Sequence, residues 1–497
     1  MRKLTAFILA LSLGLLFLAA PALAQIAEID FEVSGDWGYR LLEDGTAELV
    51  YYRGNADALT IPEEIDGITV SGLGEAHIDN MPVRLQLDLT SVTIPDSVTN
   101  IASNPFAIRR NLSEIHVSRN HPTLEVVDGV LFSKPDHRLI CYPCALENTT
   151  YRIPDGTRII GKYAFTGCES LKEIAFPGSV TEIGAGAFYG CRGLTDIAIP
   201  EGVTDIADSA FCACTSLTGI TIPDSVTGIG SSAFEMCTKL SRLEIPDSVT
   251  RLGDYAFRDC AALESITIPD SVTEIGANPF TGVCDWKLEK DVSITVSPDH
   301  PALEMTDGML FSKPDKRLVW SPRYSGETTC RIPEGTRVIG DGALWACTSL
   351  TGVTIPDSVT AIGSLAFYCC YRLSDLTLPE GVTEIGSSAF AHCDSLQKIV
   401  IPAGATSIER FAFESCGALT DVTLPDGLTA IGDCAFRNCQ SLTGLTIPES
   451  VTAIGEEAFA SCDNLTVTVA RDSAAEQYCK ANGLKYADPD TSDSAQH

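Results

Sequence analysis

The sequence is poor in positive charge. It contains 34 Lys and Arg against 66 Asp and Glu, which gives a net charge of −32 over 497 residues. Nucleic acids and anionic membranes attract clustered Lys and Arg, so this balance argues against either of them as a partner. The acidic excess is typical of a chain that stays in solution.

Motifs for catalysis and for metal binding are also missing. The chain has seven histidines, and none of them belongs to an HxxxH or HExxH pair. A GxSxG nucleophile elbow, a Walker phosphate loop and a dinucleotide fingerprint are absent as well. His121 and His300 each precede Pro at matched positions, which indicates turn residues. The sequence therefore predicts no catalytic, cofactor-binding or metal-binding residues and no cofactor, and an enzyme is the least favoured class.

Long apolar runs are confined to the start of the chain. Residues 1–24 combine Arg2 and Lys3 with the apolar run Leu4–Ala20 and a small-residue cleavage pattern. This is the pattern of a secretory signal peptide, so we expect a mature chain that begins at Gln25 and is secreted or displayed on the cell surface. No later run approaches the roughly 18 apolar residues of a membrane span, and none is predicted.

What the sequence has in abundance is an internal repeat. An apolar residue followed by Pro recurs every 23 residues in two blocks of six, and two more degenerate copies precede them. The marker residues are Ile61 and Ile94, then Ile153, Phe176, Ile199, Ile222, Ile245 and Ile268, then Ile332, Ile355, Leu378, Ile401, Leu424 and Ile447. Such a period is typical of a solenoid, because stacked copies bury an apolar side that one copy cannot bury alone.

Each repeat has the pattern of two short strands and a turn. Ile220 and Ile222 are two residues apart, as in a strand with one buried face, and the segment Val226–Ile229 follows a Pro-Asp-Ser turn. Phe234 and Cys237 follow at helical spacing, which predicts one helical turn. The fold class is therefore a β-rich repeat solenoid with short helical turns.

Stacking would turn each repeat position into a column. We expect the Phe column to form the spine of the core and the Cys column to consist of buried free thiols, since parallel neighbours seldom meet disulfide geometry. The Phe column is Phe165, Phe188, Phe211, Phe234, Phe257, Phe367, Phe390, Phe413, Phe436 and Phe459. The Cys column is Cys168, Cys191, Cys214, Cys237, Cys260, Cys347, Cys370, Cys393, Cys416, Cys439 and Cys462.

A second module interrupts the repeats twice. HPTLEVVDGVLFSKPDHRLICYP from His121 matches HPALEMTDGMLFSKPDKRLVWSP from His300 at an offset of 179, and the alternating residues of both predict a β-hairpin. Cys141 and Cys144 form a CxxC pair in the first copy, but no helix N-terminus is expected there to lower a thiolate pKa. Either a local disulfide or two unrelated thiols is consistent with the pattern.

These patterns divide the chain into nine segments. They are a signal peptide (1–24), an N-terminal β-hairpin cap (25–60), degenerate repeats (61–116), an inserted hairpin (117–152), the first block of six repeats (153–290), a second inserted hairpin (291–331), the second block of six (332–469), a C-terminal cap helix (470–486) and a disordered tail (487–497). We predict Asp472 or Ser473 as the N-cap of the helix and Gly483 as its stop.

The pattern LTxITIPDSVTxIGxxAFxxCxSL resembles the BspA-like branch of bacterial leucine-rich repeats. The inserted DGVLFSK…LICYP segment and the final SAAEQYCKANGLKY helix are similar to modules of the same family, and the resemblance covers residues 36 to 486. It implies a leucine-rich-repeat fold in a secreted or surface protein of bacteria, with some members acting as adhesins. It assigns no activity to particular residues.

Candidate binding residues come from surface positions that differ between repeats while the core positions stay the same. Arg242 and Arg251 fall in one repeat and are predicted to make a small basic spot that anchors a partner. A column of exposed Thr offers a regular polar face, although Thr also suits strands for structural reasons. Its candidate members are Thr221, Thr267, Thr354 and Thr377. The favoured function is recognition of a protein or glycan on a host or microbial surface, with a passive envelope spacer as the alternative.

Overall fold

The structure is a computed structural model that describes residues 31–74, 89–282, 284–285, 290–322 and 327–488. The predicted signal peptide and residues 489–497 of the predicted tail lie outside the described residues. The chain divides into two compact units, residues 1–238 and 239–497. Each unit is a stack of coils, and the same positions of successive coils lie above one another.

One coil contributes a strand to each of two parallel ladders. Gly219–Thr221 is the strand of the first ladder, a Pro-Asp turn closed by a hydrogen bond from Val226 N to Pro223 O (3.1 Å) follows, and Gly228–Ile229 is the strand of the second ladder. In register, Ile197 pairs with Ile220 and Ile206 with Ile229, 23 residues apart. The 23-residue period is therefore the length of one coil.

Each unit has its own strands of both ladders. In the first unit, the first ladder comprises Ala58–Thr60, Ser91–Thr93, Glu114–His116, Thr150–Arg152, Glu173–Ala175, Asp196–Ala198 and Gly219–Thr221, and the second comprises Ile68–Leu73, Asn100–Ile101, Ile159–Ile160, Glu182–Ile183, Asp205–Ile206 and Gly228–Ile229. In the second unit, the first ladder comprises Ser265–Ile268, Ser293–Val296, Thr329–Arg331, Gly352–Thr354, Asp375–Leu376, Lys398–Val400, Asp421–Thr423, Gly444–Thr446, Thr466–Thr468 and Lys485–Ala487. The second ladder of that unit comprises Arg251–Leu252, Glu274–Ile275, Val338–Ile339, Ala361–Ile362, Glu384–Ile385, Ser407–Ile408, Ala430–Ile431 and Ala453–Ile454.

The third side of the coil is a turn segment that contains the Phe and the Cys of the two repeat columns. The sequence predicted a helical turn here, and the structure has overlapping hydrogen-bonded turns instead of a regular helix. Cys393 N donates to Phe390 O (3.2 Å), three residues back, while Phe390 N donates to Ala412 O of the next coil (2.8 Å). Ser388 and His392 adopt positive φ (55° and 60°), which turns the chain back and leaves alternate amides to bond between coils.

The predicted Phe column forms stacks of rings in both units, and in the second unit Leu344 stands between the stacks of Phe280 and Phe367. Ring centroids of Phe188 and Phe211 are 5.3 Å apart with planes 2° from parallel, and Phe390 and Phe413 are 5.4 Å apart at 7°. These rings are fully buried. Phe280 continues the column beyond Phe257 (6.0 Å), a position that the sequence analysis did not include. Stacked burial of one large side chain per coil contributes apolar area to the core of each unit.

Both caps follow the predicted fold class. Trp37–Leu41 and Ala47–Tyr52 pair antiparallel, and Glu32–Ser34 adds a third strand. At the other end, the helix Ala474–Asn482 begins after Ser473, whose hydroxyl accepts from Glu476 N (3.1 Å), and ends at Gly483 with φ of 67°. Serine at the N-cap satisfies a backbone donor, and glycine adopts the left-handed conformation readily.

The structure corrects three segment assignments. Ala58–Thr60, assigned to the cap, pairs in parallel with Ser91–Thr93 and already belongs to the first ladder. Lys485–Ala487 forms a strand beside Thr466–Thr468, so the predicted tail begins one residue too early. Both strands are too short for a periodic signal, and pairing with a neighbouring coil defines them.

The inserted module is the third correction, because it is a three-stranded meander and not a two-stranded hairpin. Leu124–Val127, Val130–Ser133 and Arg138–Cys141 pair antiparallel in the first copy. The second copy has Leu303–Thr306, Met309–Ser312 and Arg317–Trp320, and a short antiparallel pair, Cys284–Asp285 with Lys290–Asp291, precedes it. The last meander strand pairs in parallel with the next coil, Arg138 opposite Ile159. The module therefore continues the second ladder.

A buried histidine fastens each meander to the coil before it. In the second copy, His300 Nδ1 accepts from Ala302 N (3.2 Å) and Leu303 N (3.0 Å), and Nε2 donates to Pro269 O (3.0 Å). Since Nδ1 faces two N–H donors, the proton of the neutral ring must lie on Nε2. His121 makes the matching bonds in the first copy, including Nε2 to Pro95 O (3.1 Å). Both rings are structural turn residues, as the sequence indicated.

Candidate functional site

The Thr residues predicted from sequence as a polar face are exposed on the first ladder. Thr221 lies in the first unit, and Thr267, Thr354 and Thr377 lie in the second. Thr267 Oγ1 is 3.1 Å from Thr295 Oγ1 of the next coil, so at least this hydroxyl is engaged between coils. The column presents methyl and hydroxyl groups at regular spacing, and a binding role for it stays a prediction.

A different Thr column, on the second ladder, has a structural role. Thr227 Oγ1 donates to Thr204 O (3.3 Å), Thr383 Oγ1 to Thr360 O (3.3 Å), and Thr429 Oγ1 to Thr406 O (2.9 Å). Each hydroxyl reaches the backbone of the preceding coil. These bonds tie neighbouring coils together, and they account for the recurrence of Thr without a ligand.

The two arginines predicted as a basic anchor lie on different ladders of one coil. Arg242 forms a single β-bridge in the first ladder, whereas Arg251 begins a strand of the second. Both side chains are exposed, and Arg251 stands in register beside Glu274. An acidic neighbour weakens the basic character of this spot, and the anchor role stays a prediction.

The Cys column is buried, and its thiols are hydrogen-bond donors. Cys214 Sγ donates to Phe188 O (3.1 Å), and Cys393 Sγ donates to Phe367 O (3.3 Å), 26 residues back in each case. Burial raises the pKa of Cys237 and Cys393 well above the ordinary value and that of Cys416 to about 12. These three thiols thus remain protonated at neutral pH. A column cysteine such as Cys214 packs as an apolar side chain and also donates a second hydrogen bond to a carbonyl that already accepts a backbone N–H. The sequence analysis treated these cysteines as small hydrophobic residues and missed the hydrogen bond.

Replacing a column cysteine should show this double role. Cys393→Ala is expected to lower the free energy of unfolding by about 1–2 kcal/mol, since it removes a buried donor and leaves a small void. Urea unfolding followed by circular dichroism measures it. Cys330, half-buried and outside the column, is the matched control. Equal losses in Cys393→Ala and Cys330→Ala would contradict a special role of the column.

The turn segment of the second unit carries a row of large side chains outside the core. The residue after each column Phe, or after Leu344 in the first of these coils, is Trp345, Tyr368, Ala391, Glu414 and Arg437 in five successive coils. Tyr371 and His392 lie beside this row. We call Trp345, Tyr368, Tyr371, His392, Glu414 and Arg437 the outer strip. With coils about 4.8 Å apart, the strip extends about 20 Å.

The aromatic end of the outer strip is a packed cluster of its own. Trp345, Tyr368 and Tyr371 pack with Cys369 and Ala391 in an apolar cluster separate from the Phe spine. The rings of Tyr368 and His392 meet edge to face, with centroids 5.4 Å apart at 79°. Tyr368 is 9% exposed, whereas Trp345, Tyr371 and His392 are half-buried. The side chains are therefore held in place by packing while each keeps an accessible edge.

The other end of the outer strip is ionic. Arg437 lies between two carboxylates, with Nε 3.8 Å from Glu414 Oε1 and Nη1 3.4 Å from Glu457 Oε2. The Glu414 side chain is 11% exposed and the Arg437 side chain is 44% exposed. Burial raises the pKa of Glu414, and the positive charge of Arg437 opposes that shift. The strip thus joins an aromatic surface to a partly buried ion pair.

Burial sets the charge of the groups around the aromatic cluster. It raises the pKa of the Tyr368 and Tyr371 hydroxyls and lowers that of His392, so all three are neutral at pH 7. Although part of its side chain is exposed, Asp394 is desolvated enough to raise its carboxyl pKa to about 6. At neutral pH Asp394 is therefore mostly ionised and places a negative charge beside the cluster.

Within the described residues, no group of three His, Cys, Asp or Glu side chains is placed to hold a metal ion. Among the helices described, none has the length and apolar character of a membrane span. Trp345 and Tyr368 escaped the sequence analysis because it compared only the ladder slots. The slot after each Phe holds Thr166, Tyr189 and Cys212 in the first unit, so this slot alone does not single out Trp345 and Tyr368.

Comparison with known proteins gives a family and a set of solved structures. The model described as "BspA type Leucine rich repeat region (6 copies)" matches residues 84–134, 140–264, 181–291, 324–443 and 406–477. None of the curated proteins that were compared matches the chain.

Three solved structures are similar to the chain. A leucine-rich cell surface protein from Faecalibacterium prausnitzii A2-165 is 26% identical, covering 92% of this chain and 98% of that one with a TM-score of 0.44. A leucine-rich repeat protein from Eubacterium ventriosum is 25% identical, covering 68% and 93% with a TM-score of 0.49. The pneumococcal vaccine antigen PcpA is 16% identical, covering 92% and 98% with a TM-score of 0.46.

Two parallel ladders and a turn segment per coil, repeated around an apolar column, define a leucine-rich-repeat solenoid. Because the family model matches well over half of the residues, the chain belongs to the BspA-type leucine-rich repeat family.

Proposed function

We propose that this protein is a secreted or cell-surface recognition protein that binds a protein partner through the outer strip. Export rests on the signal-peptide pattern of residues 1–24, and a surface role is what the family implies. The observation that supports binding is the aromatic cluster of Trp345, Tyr368 and Tyr371, packed outside the core. Trp, Tyr and Arg carry most of the binding energy at protein interfaces.

The geometry favours a protein over a small ligand. The outer strip is a row along successive coils, and its side chains are already held by packing, so little conformational freedom is lost on binding. Arg437, at the ionic end of the outer strip, is a second type of anchor. Since Glu414 and Asp394 border the cluster and the chain carries a net charge of −32, the complementary partner surface is basic.

Removing the aromatic end should abolish most of the affinity. Trp345→Ala and Tyr368→Ala are each expected to weaken binding by about 30-fold or more, the effect of a residue that contributes about 2 kcal/mol. The mature chain would be screened against purified extracellular-matrix proteins and a glycan array, and the hits measured by biolayer interferometry. Tyr189→Ala, at the same slot of a coil in the first unit, is the matched control and should bind like the parent.

Each other outcome has a defined meaning. If Trp345→Ala and Tyr368→Ala bind as well as the parent and circular dichroism shows that they are folded, the outer strip is not the interface. The binding surface would then be another one, such as the Thr column or the Arg242 and Arg251 pair. Binding to glycans alone would replace the protein partner by a carbohydrate. Failure to bind any probe would favour the envelope spacer.

A further inference from the structure

Two thiols in the first unit lie in direct contact although 24 residues separate them in sequence. Cys144 Sγ is 2.9 Å from Cys168 Sγ and 3.2 Å from Thr166 O. Non-bonded carbon atoms settle about 3.5–4.0 Å apart, and sulfur is larger than carbon. Two thiols held this close are poised for bond formation between them.

The backbone brings the pair together. Tyr142 N, at the end of the first meander, donates to Ala164 O (2.9 Å), and Ala145 N donates to Leu112 O (2.9 Å). These bonds fix the segment that carries Cys144 between two coils, directly beside the turn segment that carries Cys168. The contact is therefore a consequence of how the meander joins the stack.

Cys168 also departs from the pattern of its column. Column members such as Cys191 and Cys214 donate to a carbonyl at 3.0 and 3.1 Å. Cys168 lies 3.6 Å from the corresponding acceptor, Tyr142 O. Its counterpart Cys347 lies 3.8 Å from Pro322 O, so the longer distance is shared by the first coil after each meander. What distinguishes Cys168 is the contact of its sulfur with Cys144.

The CxxC spacing points to a different pair. Cys141 is 1% exposed and packs in an apolar cluster with Leu131 and Ile140. Cys144, three residues farther along, is half-buried and contacts Cys168 instead. Of the two alternatives that the sequence left open for Cys141 and Cys144, the geometry supports unrelated thiols.

We propose that Cys144 and Cys168 form a disulfide that fastens the first meander to the coil that follows it. In the first step the Cys144 thiolate attacks a disulfide oxidant, forming a mixed disulfide and releasing one thiolate. Cys168 then loses its proton and attacks Cys144 Sγ, which releases the second thiolate of the oxidant. Two protein thiols are oxidised, two protons leave, and one oxidant disulfide is reduced to two thiols. Cys144 acts first because it is accessible, whereas burial raises the pKa of the Cys168 thiol.

The second meander provides an internal control. Cys347 is the counterpart of Cys168 at the offset of 179, but Arg323 stands where the first copy has Cys144. Cys347 Sγ lies 3.8 Å from Pro322 O. The sequence therefore provides the thiol pair in the first copy and an arginine in its place in the second, and the proposed cross-link belongs to the first copy.

Tryptic mapping tests the assignment on the full mature chain. The protein would be treated with oxidised glutathione, alkylated after denaturation and digested without reduction. Residues 139–152 carry both Cys141 and Cys144, and residues 163–172 carry Cys168. The expected result is one linked pair of these two peptides, which reductant separates, with fragmentation placing the bond on Cys144 and an alkyl group on Cys141.

Variants sharpen the result. Cys141→Ser should leave the linked pair intact, and Cys144→Ser should abolish it. A bond within residues 139–152, which would join Cys141 to Cys144, would overturn the proposal. So would full alkylation of Cys144 and Cys168 in the parent protein after oxidation. Because this last readout uses the unmutated chain, a variant that fails to fold does not affect it.

Discussion

Replacing Phe390 with Ala is expected to lower the free energy of unfolding by about 3–5 kcal/mol. The ring is fully buried and lies between Phe367 and Phe413, with centroids 5.1 and 5.4 Å away. Its removal withdraws apolar area from two coil interfaces at once and leaves a cavity that the rigid ladders on either side cannot close. The loss would be measured by urea unfolding monitored by circular dichroism.

A control separates the effect of the spine from the general effect of truncation. Val400 is 44% exposed on a strand of the first ladder, and Val400→Ala should change stability by no more than about 0.5 kcal/mol. Phe390→Leu should fall between the two because it keeps most of the apolar volume. If Phe390→Ala lost less than about 1 kcal/mol, the stacked rings would not be the main support of the core.

Truncating the buried histidine of the second meander should have the next largest effect. His300→Ala is expected to lower the free energy of unfolding by about 2–4 kcal/mol, because it leaves Ala302 N, Leu303 N and Pro269 O without their partner in a buried place. Hydrogen exchange should show the loss first in residues 303–312. Denaturant unfolding gives its magnitude.

The acceptor and donor roles of the ring can be separated. An Asn side chain places an oxygen near the position of Nδ1 but cannot reach Pro269 O, so His300→Asn should recover part of the stability. His116 is exposed and pairs with Glu114 at 3.2 Å, and His116→Ala should be close to neutral. Equal losses in His300→Ala and His300→Asn would show that the bonds to Ala302 and Leu303 are unimportant.

The sequence predicts the parts of this protein that depend on one coil repeating. The column of Phe rings, the two strands per coil and the capped final helix follow from periodicity and from local rules for strands and caps. Elements that depend on a neighbour are missed. Lys485–Ala487 is a strand because Thr466–Thr468 lies beside it, and Leu124–Val127 is a strand because the meander folds back on it.

The candidate sites were less predictable for the same reason. Cys144 has a closer cysteine in sequence, Cys141, than the one it contacts in space, and only the path of the meander decides between them. Trp345 and Tyr368 are ordinary residues in sequence, and they become a surface only when five coils are stacked. The exposed Thr and Arg positions are visible in the pattern, but exposure alone does not identify a ligand.

The constant 23-residue register has a consequence for how such a chain changes over generations. The coils from Ile355 to Ile447 repeat every 23 residues and present Phe and Cys at the same positions to the next coil. Recombination between two copies in the gene inserts or deletes a whole coil, and every new junction has the contacts of an old one. The number of coils is thus open to selection without any new core having to evolve. Single substitutions at outward positions such as Trp345 then adjust recognition independently of size.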